Sequence, residues 1–361
     1  MFKLIFKEDA VIITITMSAE FFVEYIQKYI PDSFIRFFLK IILWFSKNSL
    51  LNKDFPQKEL RLIEKMKNLK TATFETKDAN KQHYEVPTDF FLKHLGKKLK
   101  YSSCEWDNCS SLEDAEIYTI SKYQDYLKLD NLEDGSYILE IGNGWGSLCL
   151  SNAEKYPNLN FESFSNSATQ IDYIQEMCLK KGIKNLKCWK QDIDDFIKKD
   201  LKSQQKYSRI VSIECIEHCR GYGILFKKMR EVLKNDGFCF IQILGHSYFS
   251  YLMNSNSWMG RNFFTGGTIP SMHLFDAFNE DLIVSNKKIL SGKYYSKTLD
   301  AWLHKLYQAK SIIMPVLRNA YGDKAEKHFE GWRMFYLMCS ESFKYNNGKD
   351  WCVGYFTLIK R

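Results

Sequence analysis

From Ser111 onward, apolar positions along the chain switch between two periods. Ser111 and Asp114 have the spacing of a helix capping box, and Ile117, Ile120 and Leu127 follow at helical intervals. Asp134-Gly135 reads as a turn, and beyond it short apolar runs alternate with amphipathic stretches. The pattern predicts strands at Tyr137–Ile141, Asn160–Phe164, Leu186–Trp189, Ile210–Ile213 and Phe238–Ile243. Between them it predicts helices from Gly146, over Thr169–Lys180 and over Leu225–Leu233, with a turn at Asn235-Asp236-Gly237. Such alternation implies an α/β fold with a doubly wound parallel sheet and a ligand at the carboxyl ends of the strands. A last apolar run, Cys352–Ile359, is expected as a strand on the sheet edge.

Residues 1 to about 75 read as helix-rich and lysine-rich, ending in the polar stretch Thr71–Lys81. The apolar run Ala10–Met17 follows Lys3, Lys7, Glu8 and Asp9; acids in that position and the lack of a small-residue cleavage site argue against a signal peptide. Phe34–Trp44 is apolar except for Arg36 and Lys40. It fits a helix packed into a groove of the main domain, or an interfacial helix whose two cations snorkel at a lipid surface. No run reaches the roughly 18 apolar residues of a membrane span.

Composition narrows the picture. With 45% apolar residues, 16% aromatics and 6 prolines in 361 residues, the chain has material for a core and is not disordered or fibrous. Its net charge of +8 permits an anionic partner without demanding one. The 10 cysteines form no CxxC pair, and Cys149, Cys188 and Cys239 sit in apolar runs, which points to a reducing, cytoplasmic compartment.

Chemistry concentrates after the first strand, where Glu140-Ile141 runs into Gly142-Asn143-Gly144-Trp145-Gly146. A strand, a tight glycine turn and a helix start bring backbone N–H groups against a ligand. The GxGxG spacing differs from that of dinucleotide enzymes, and Glu140 is placed to hold a cationic amino group, which suits an amino-acid-bearing nucleoside. Gln191 and Asp192 follow the third strand, where an adenine ring would lie; Asp192 alone also reads as a helix cap.

Several blocks in order resemble the S-adenosylmethionine-dependent cyclopropane-fatty-acid synthases and coclaurine-type N-methyltransferases. They are Tyr84-Glu85-Val86-Pro87-Thr88-Asp89-Phe90-Phe91, Tyr101-Ser102-Ser103-Cys104, the glycine loop, Ser165-Asn166-Ser167 with Gln170, Ser212 to His218, and Phe263 to Ser271. Trp332-Arg333-Met334-Phe335 and Tyr345-Asn346-Asn347-Gly348 look most like the N-methyltransferase branch. The resemblance implies a Rossmann-like class I methyltransferase sheet over 81–361, a helical extension over 1–80 and a substrate cap mainly in 245–350. It implies S-adenosylmethionine held by Tyr101, Ser102, Glu140, Gly142, Gly144, Gly146, Asn166, Gln170, Gln191, Asp192 and Ile213. It also implies a small amine substrate, with Tyr84, Phe263, Phe264, Tyr295, Trp332, Arg333 and Phe335 as its walls.

Methyl transfer to an amine needs a neutral nucleophile and therefore a base. Glu214, Glu217 and His218 follow the fourth strand, and the resemblance puts Glu214 and His218 in that role. Cys215, His218 and Cys219 suggest a metal, but no fourth ligand lies at suitable spacing, so none is expected. Asn143 stands where the family usually has cysteine. Ser103 and Gln242 replace the cysteine and histidine with which the cyclopropane synthases hold bicarbonate. The loss of these two favours amine methylation over a lipid-modifying reaction, the second reading, although the N-methyltransferases generally keep that histidine too, so Gln242 departs from both branches. No two prolines are adjacent, so the Pro-Pro-aromatic loop typical of base methylation is missing and no nucleic acid is expected. A monomer or homodimer is expected, with lipid contact through 34–44 left open.

Overall fold

The computed structural model describes residues 29–50, 55–73, 86–199, 206–254, 256–264 and 266–361. Ala10–Met17 and Tyr84 lie outside them. Helices α1 (Asp32–Leu50), α2 (Phe55–Lys67), α3 (Thr88–His94) and α4 (Leu112–Leu127) lead into the alternating core. That core runs β1 (Tyr137–Ile141), α5 (Ser147–Lys155), β2 (Asn160–Ser165), α6 (Ala168–Lys181), β3 (Leu186–Lys190), α7 (Ile193–Lys198), β4 (Tyr207–Ile213), α8 (Tyr222–Val232) and β5 (Leu233–His246). There follow β6 (Tyr251–Leu252), α9 (Trp258–Asn262), β7 (Thr268–Ile269), β8 (Leu282–Ser291), α10 (Gly292–Gln308), α11 (Lys310–Tyr321), α12 (Ala325–Gly348) and β9 (Trp351–Lys360). The capping box forms at α4: Asp114 N donates to Ser111 Oγ, and Ser111 N donates to Asp114 Oδ2, both at 3.1 Å.

The main sheet has the order β3-β2-β1-β4-β5-β9-β8, with β1 to β5 parallel. Strand order reverses between β1 and β4, so a crevice opens at their carboxyl ends. The last strand is not the edge: β9 lies antiparallel between β5 and β8. The edge strand is β8, whose middle, Ser285-Asn286-Lys287-Lys288, is too polar to advertise a strand. Charge along an exposed edge also discourages pairing with another chain.

Helices α10 and α12 pack on each other through buried Trp302, Leu303, Leu306, Trp332, Phe335 and Tyr336. At the end of α12, Asn346 and Asn347 take left-handed conformations (φ +47° and +61°), turning the chain into β9; asparagine tolerates that region better than most residues.

Helix α1 docks by one face, burying Ile35, Leu39 and Leu43. Arg36 does not snorkel. Its guanidinium donates to Glu341 and Asp300 at 2.7 Å each, tying α1 to α12 and α10. The opposite face is exposed and aromatic, with Phe34, Phe37 and Trp44 each more than half exposed and Lys40 beside them. No helix among the described residues is long and apolar enough to cross a membrane.

Candidate active site

At the end of β1 the chain turns through three glycines of positive φ: Gly142 (+82°), Gly144 (+49°) and Gly146 (+80°). A Cβ on Gly142 would lie 2.3 Å from Cys215 Sγ, so the close approach of the β4 loop excludes a side chain there. A Cβ on Gly144 would meet nothing within 4 Å, because it would project into open space. Gly146 caps α5 and does not line that space. Asn143 is buried and donates from Nδ2 to Ser163 Oγ at 3.0 Å, so this departure is absorbed by a hydrogen bond to β2.

The space is a cavity over the carboxyl ends of the parallel strands. Tyr101, Ser102, Glu140, Gly142, Gly144 and Asn166 line it, as do Gln170, Gln191, Asp192 and Ile213. Asp192 also caps α7, its carboxylate accepting from Asp194 N at 2.9 Å. Four residues lining this cavity carry a buried polar atom without a partner among the described residues: Glu140 Oε2, Asn143 Oδ1, Ser147 Oγ and Gln170 Nε2. Burial pushes the Glu140 carboxyl up to about 8. A nucleoside carrying an ammonium group would give that carboxyl a counter-charge, give Gln170 an acceptor and fill the room left by Gly144. The donor set fits S-adenosylmethionine.

A second cavity, about 260 Å³, adjoins the first and is mostly apolar. Phe264, Tyr295 and Phe335 line it, together with Leu244, Tyr251, Met259, Trp302, Met338 and Phe343. Tyr101, Glu214 and His218 line both cavities, so the two meet at these three residues.

Glu214 sits at φ +47°, a left-handed position for a non-glycine residue and a local strain. Its Oε1 accepts from Ser103 N at 3.0 Å and Gln242 Nε2 at 2.5 Å, and its Oε2 accepts from Tyr295 Oη at 2.8 Å. Gln242 is in turn held by the Tyr123 hydroxyl. Burial raises the Glu214 carboxyl, with buried Lys100 and these donors opposing the shift. Lys100 donates to Ser102 Oγ at 2.7 Å and to Ser103 O. The His218 ring makes no hydrogen bond among the described residues, and burial lowers its pKa. Glu214 therefore does not orient His218 by a hydrogen bond; three of its acceptor positions are taken by Ser103, Gln242 and Tyr295.

Other expected residues lie behind the walls. Glu217 lines neither cavity; its Oε1 accepts from Leu244 N at 2.7 Å, supporting β5. Burial raises the Glu217 carboxyl well above its usual range. Phe263 stacks on Phe335 from outside, with centroids 4.4 Å apart, and Trp332 packs among Phe90, Phe91 and Phe263. Arg333 is not in the pocket; it pairs with Asp32 at 2.6 Å and Glu330 at 2.9 Å, fastening the start of α1. Sequence patterns gave no sign of Thr73, Lys100, Tyr123, Tyr251 and Trp302 as lining residues. Thr73 comes from a stretch read as polar linker; it reaches the first cavity because the backbone N–H groups of Ala72 and Thr73 donate to Asp194.

Residues 71–351 match the family model described as mycolic acid cyclopropane synthetase. The chain is 32% identical over 311 residues to (S)-coclaurine N-methyltransferase of Thalictrum flavum subsp. glaucum, covering 84% of each chain. It is 26% identical over 276 residues to cyclopropane-fatty-acyl-phospholipid synthase of Escherichia coli strain K12, covering 76% of this chain and 66% of the other. The crystal structure of a coclaurine N-methyltransferase bound to N-methylheliamine and S-adenosylhomocysteine superposes with a TM-score of 0.86 at 28% identity, over 97% of this chain and 100% of that one.

Proposed function

Because this chain belongs to the mycolic acid cyclopropane synthetase family and is an S-adenosylmethionine-dependent methyltransferase, we propose that its acceptor is the nitrogen of a small, mostly apolar amine. One observation carries the reading: Tyr101, Glu214 and His218 stand where a polar nucleoside cavity opens into an apolar one. The cofactor, when bound, supplies a methyl group on a sulfonium. The chain's residues then have two tasks. Glu214, fixed by its three donors, presents negative charge to an ammonium and to the positive charge that grows on nitrogen. His218, unpaired and kept neutral by burial, takes the proton so that the nitrogen lone pair is free to form the new N–C bond. Aromatic faces of Phe264, Phe335 and Tyr295 add attraction for a cationic amine, about 0.5–2 kcal/mol per contact. The 10 free cysteines fit a reducing, cytoplasmic setting.

A second reading, methyl transfer to lipid acyl chains, is favoured by the exposed aromatic face of α1, which offers a contact for a bilayer. Gln242 opposes it, since its side-chain amide carries no basic group and is spent on Glu214. Labelled S-adenosylmethionine with separate pools of apolar amines and anionic phospholipid vesicles decides between them. Amine labelling indifferent to bicarbonate is expected. Phospholipid labelling that needs bicarbonate and survives Glu214→Ala overturns the amine reading.

A further inference from the structure

One residue holds Glu214 from two directions. The Glu214 backbone N–H donates to Gln242 O at 2.9 Å, and its carboxylate accepts from Gln242 Nε2 at 2.5 Å. Together they fix a residue whose φ of +47° is costly outside glycine. Gln242 is fully buried in β5, paired with Ile213 of β4 on one side and Tyr355 of β9 on the other, so the sheet fixes its backbone. Its side chain is less constrained, because an amide can sit either way round. Here only one way works. An ionised carboxylate only accepts hydrogen bonds, so the amide nitrogen must face Glu214 and Oε1 must face away. That buried oxygen needs a donor, and the Tyr123 hydroxyl supplies it. Tyr123 lies on α4 and is 1% exposed.

Burial works against a negative charge at Glu214. The titratable groups facing it are Lys100, Cys104, Tyr123, Glu217 and Tyr295, with Tyr101 and His218 beside it at the junction. Of these, Lys100 brings a positive charge, while burial keeps the Cys104 thiol, the Tyr123 and Tyr295 hydroxyls and Glu217 protonated and the imidazole neutral. The Gln242 amide adds a donor that does not titrate. We propose that Gln242 and Tyr123 are positioning residues for methyl transfer: Tyr123 sets which way round the amide sits, and the amide keeps Glu214 negative and facing the junction. This rests on the amine-methylation reading and deepens it, since a fixed negative charge there is what an ammonium and its methylated product would meet. Neither residue lines the apolar cavity, so both act on the amine through Glu214, and neither makes or breaks a covalent bond.

The test uses Gln242→Met, which keeps the side chain's length without its donor, Tyr123→Phe and the double variant. Infrared spectra of the protein across pH give the midpoint at which Glu214 takes up a proton, its carboxyl band identified by its loss in Glu214→Gln. Gln242→Met should raise that midpoint by about one unit or more, since a donor to a carboxylate favours its ionised form. Tyr123→Phe should raise it less. In the double variant the tyrosine change should add nothing, because Tyr123 acts through the amide. With N-methylbenzylamine as substrate, kcat/KM of Gln242→Met at neutral pH should fall about tenfold and recover towards wild type as pH rises and Glu214 ionises again. An unchanged midpoint in Gln242→Met, or a loss of activity that alkaline pH leaves in place, overturns the proposal. An effect of Tyr123→Phe that persists in the Gln242→Met background overturns the tyrosine's part in it. If Gln242→Met does not fold, Tyr123→Phe, which removes one oxygen atom, decides by its own midpoint. If wild type does not methylate the amine, the methylation reading fails, and the midpoints still decide whether the pair holds the charge of Glu214.

Discussion

The two cavities that meet at Glu214 and His218 are built in opposite ways. The nucleoside cavity is lined mainly by loops after β1, β2, β3 and β4, where backbone geometry and short polar side chains do the holding. The apolar cavity is assembled from β5, β6, α9, α10, α12 and the start of β9, residues more than a hundred positions apart. A cavity of the first kind depends on turns that glycine alone adopts easily, so it constrains residue identity closely. One of the second kind depends on the volume and packing of large side chains, which many sequences satisfy. The first should break at single atoms and the second should loosen by degrees.

The largest effect is expected at the junction. His218→Ala should cut turnover by roughly 10²–10⁴-fold while both ligands still bind, the usual contribution of a placed general base. In the wild type the rate should rise with pH through an acid limb lying below the ordinary histidine value of roughly 6.5, because burial lowers the His218 pKa and keeps the ring neutral further into acid. That limb should vanish in the variant; a pH–rate profile of kcat/KM checks it.

Gly144→Val tests the backbone-built side. A branched side chain would occupy the space where the cofactor approaches, at a positive φ, and should abolish the rise in Tm produced by S-adenosylmethionine. A shift that survives would remove the loop from the site.

Glu140→Gln is a finer probe of the same cavity. Burial raises the Glu140 carboxyl to about 8, so the free protein binds a proton there that a cofactor ammonium displaces. Affinity for S-adenosylmethionine should therefore increase with pH up to about 8 in the wild type, by at most about tenfold per unit. In the variant calorimetric titration should show a flat profile.

The smallest effect belongs to the packed side. Arg36→Ala removes the clamp between α1 and the helices lining the apolar cavity, and should raise KM for the amine a few-fold while leaving cofactor affinity unchanged. Lys40→Glu, on the exposed face, should alter neither.

The same contrast explains what could be read in advance. Short strands between glycine and aspartate turns gave the parallel core, and the glycine loop and Asp192 were legible because few residue types suit those positions, whereas Gln170 came only with the family resemblance. The edge strand β8 was not, since Ser285 to Lys288 interrupt its apolar pattern. Trp332 and Arg333 lie off the pocket, and a motif names residue types without saying which side of a wall they build. Arg333 secures Asp32 across the chain, and nothing local to either residue announces that pairing. Tyr123 escaped notice because its meaning depends on Gln242, more than a hundred residues later.

The interior place of β9 bears on how the protein comes into being. Its two partners, β5 and β8, do not pair with each other, so until Trp351–Lys360 leaves the ribosome the sheet has a gap one strand in from its β8 edge. The five parallel strands can assemble first, but β8 has nothing to join until the final strand threads between them. Contacts that wait this long are slow to form and leave strand edges open in the interim. Loss of a few residues from β9 should therefore yield aggregation during synthesis, seen as failure to accumulate in the soluble fraction, before it yields a weaker enzyme.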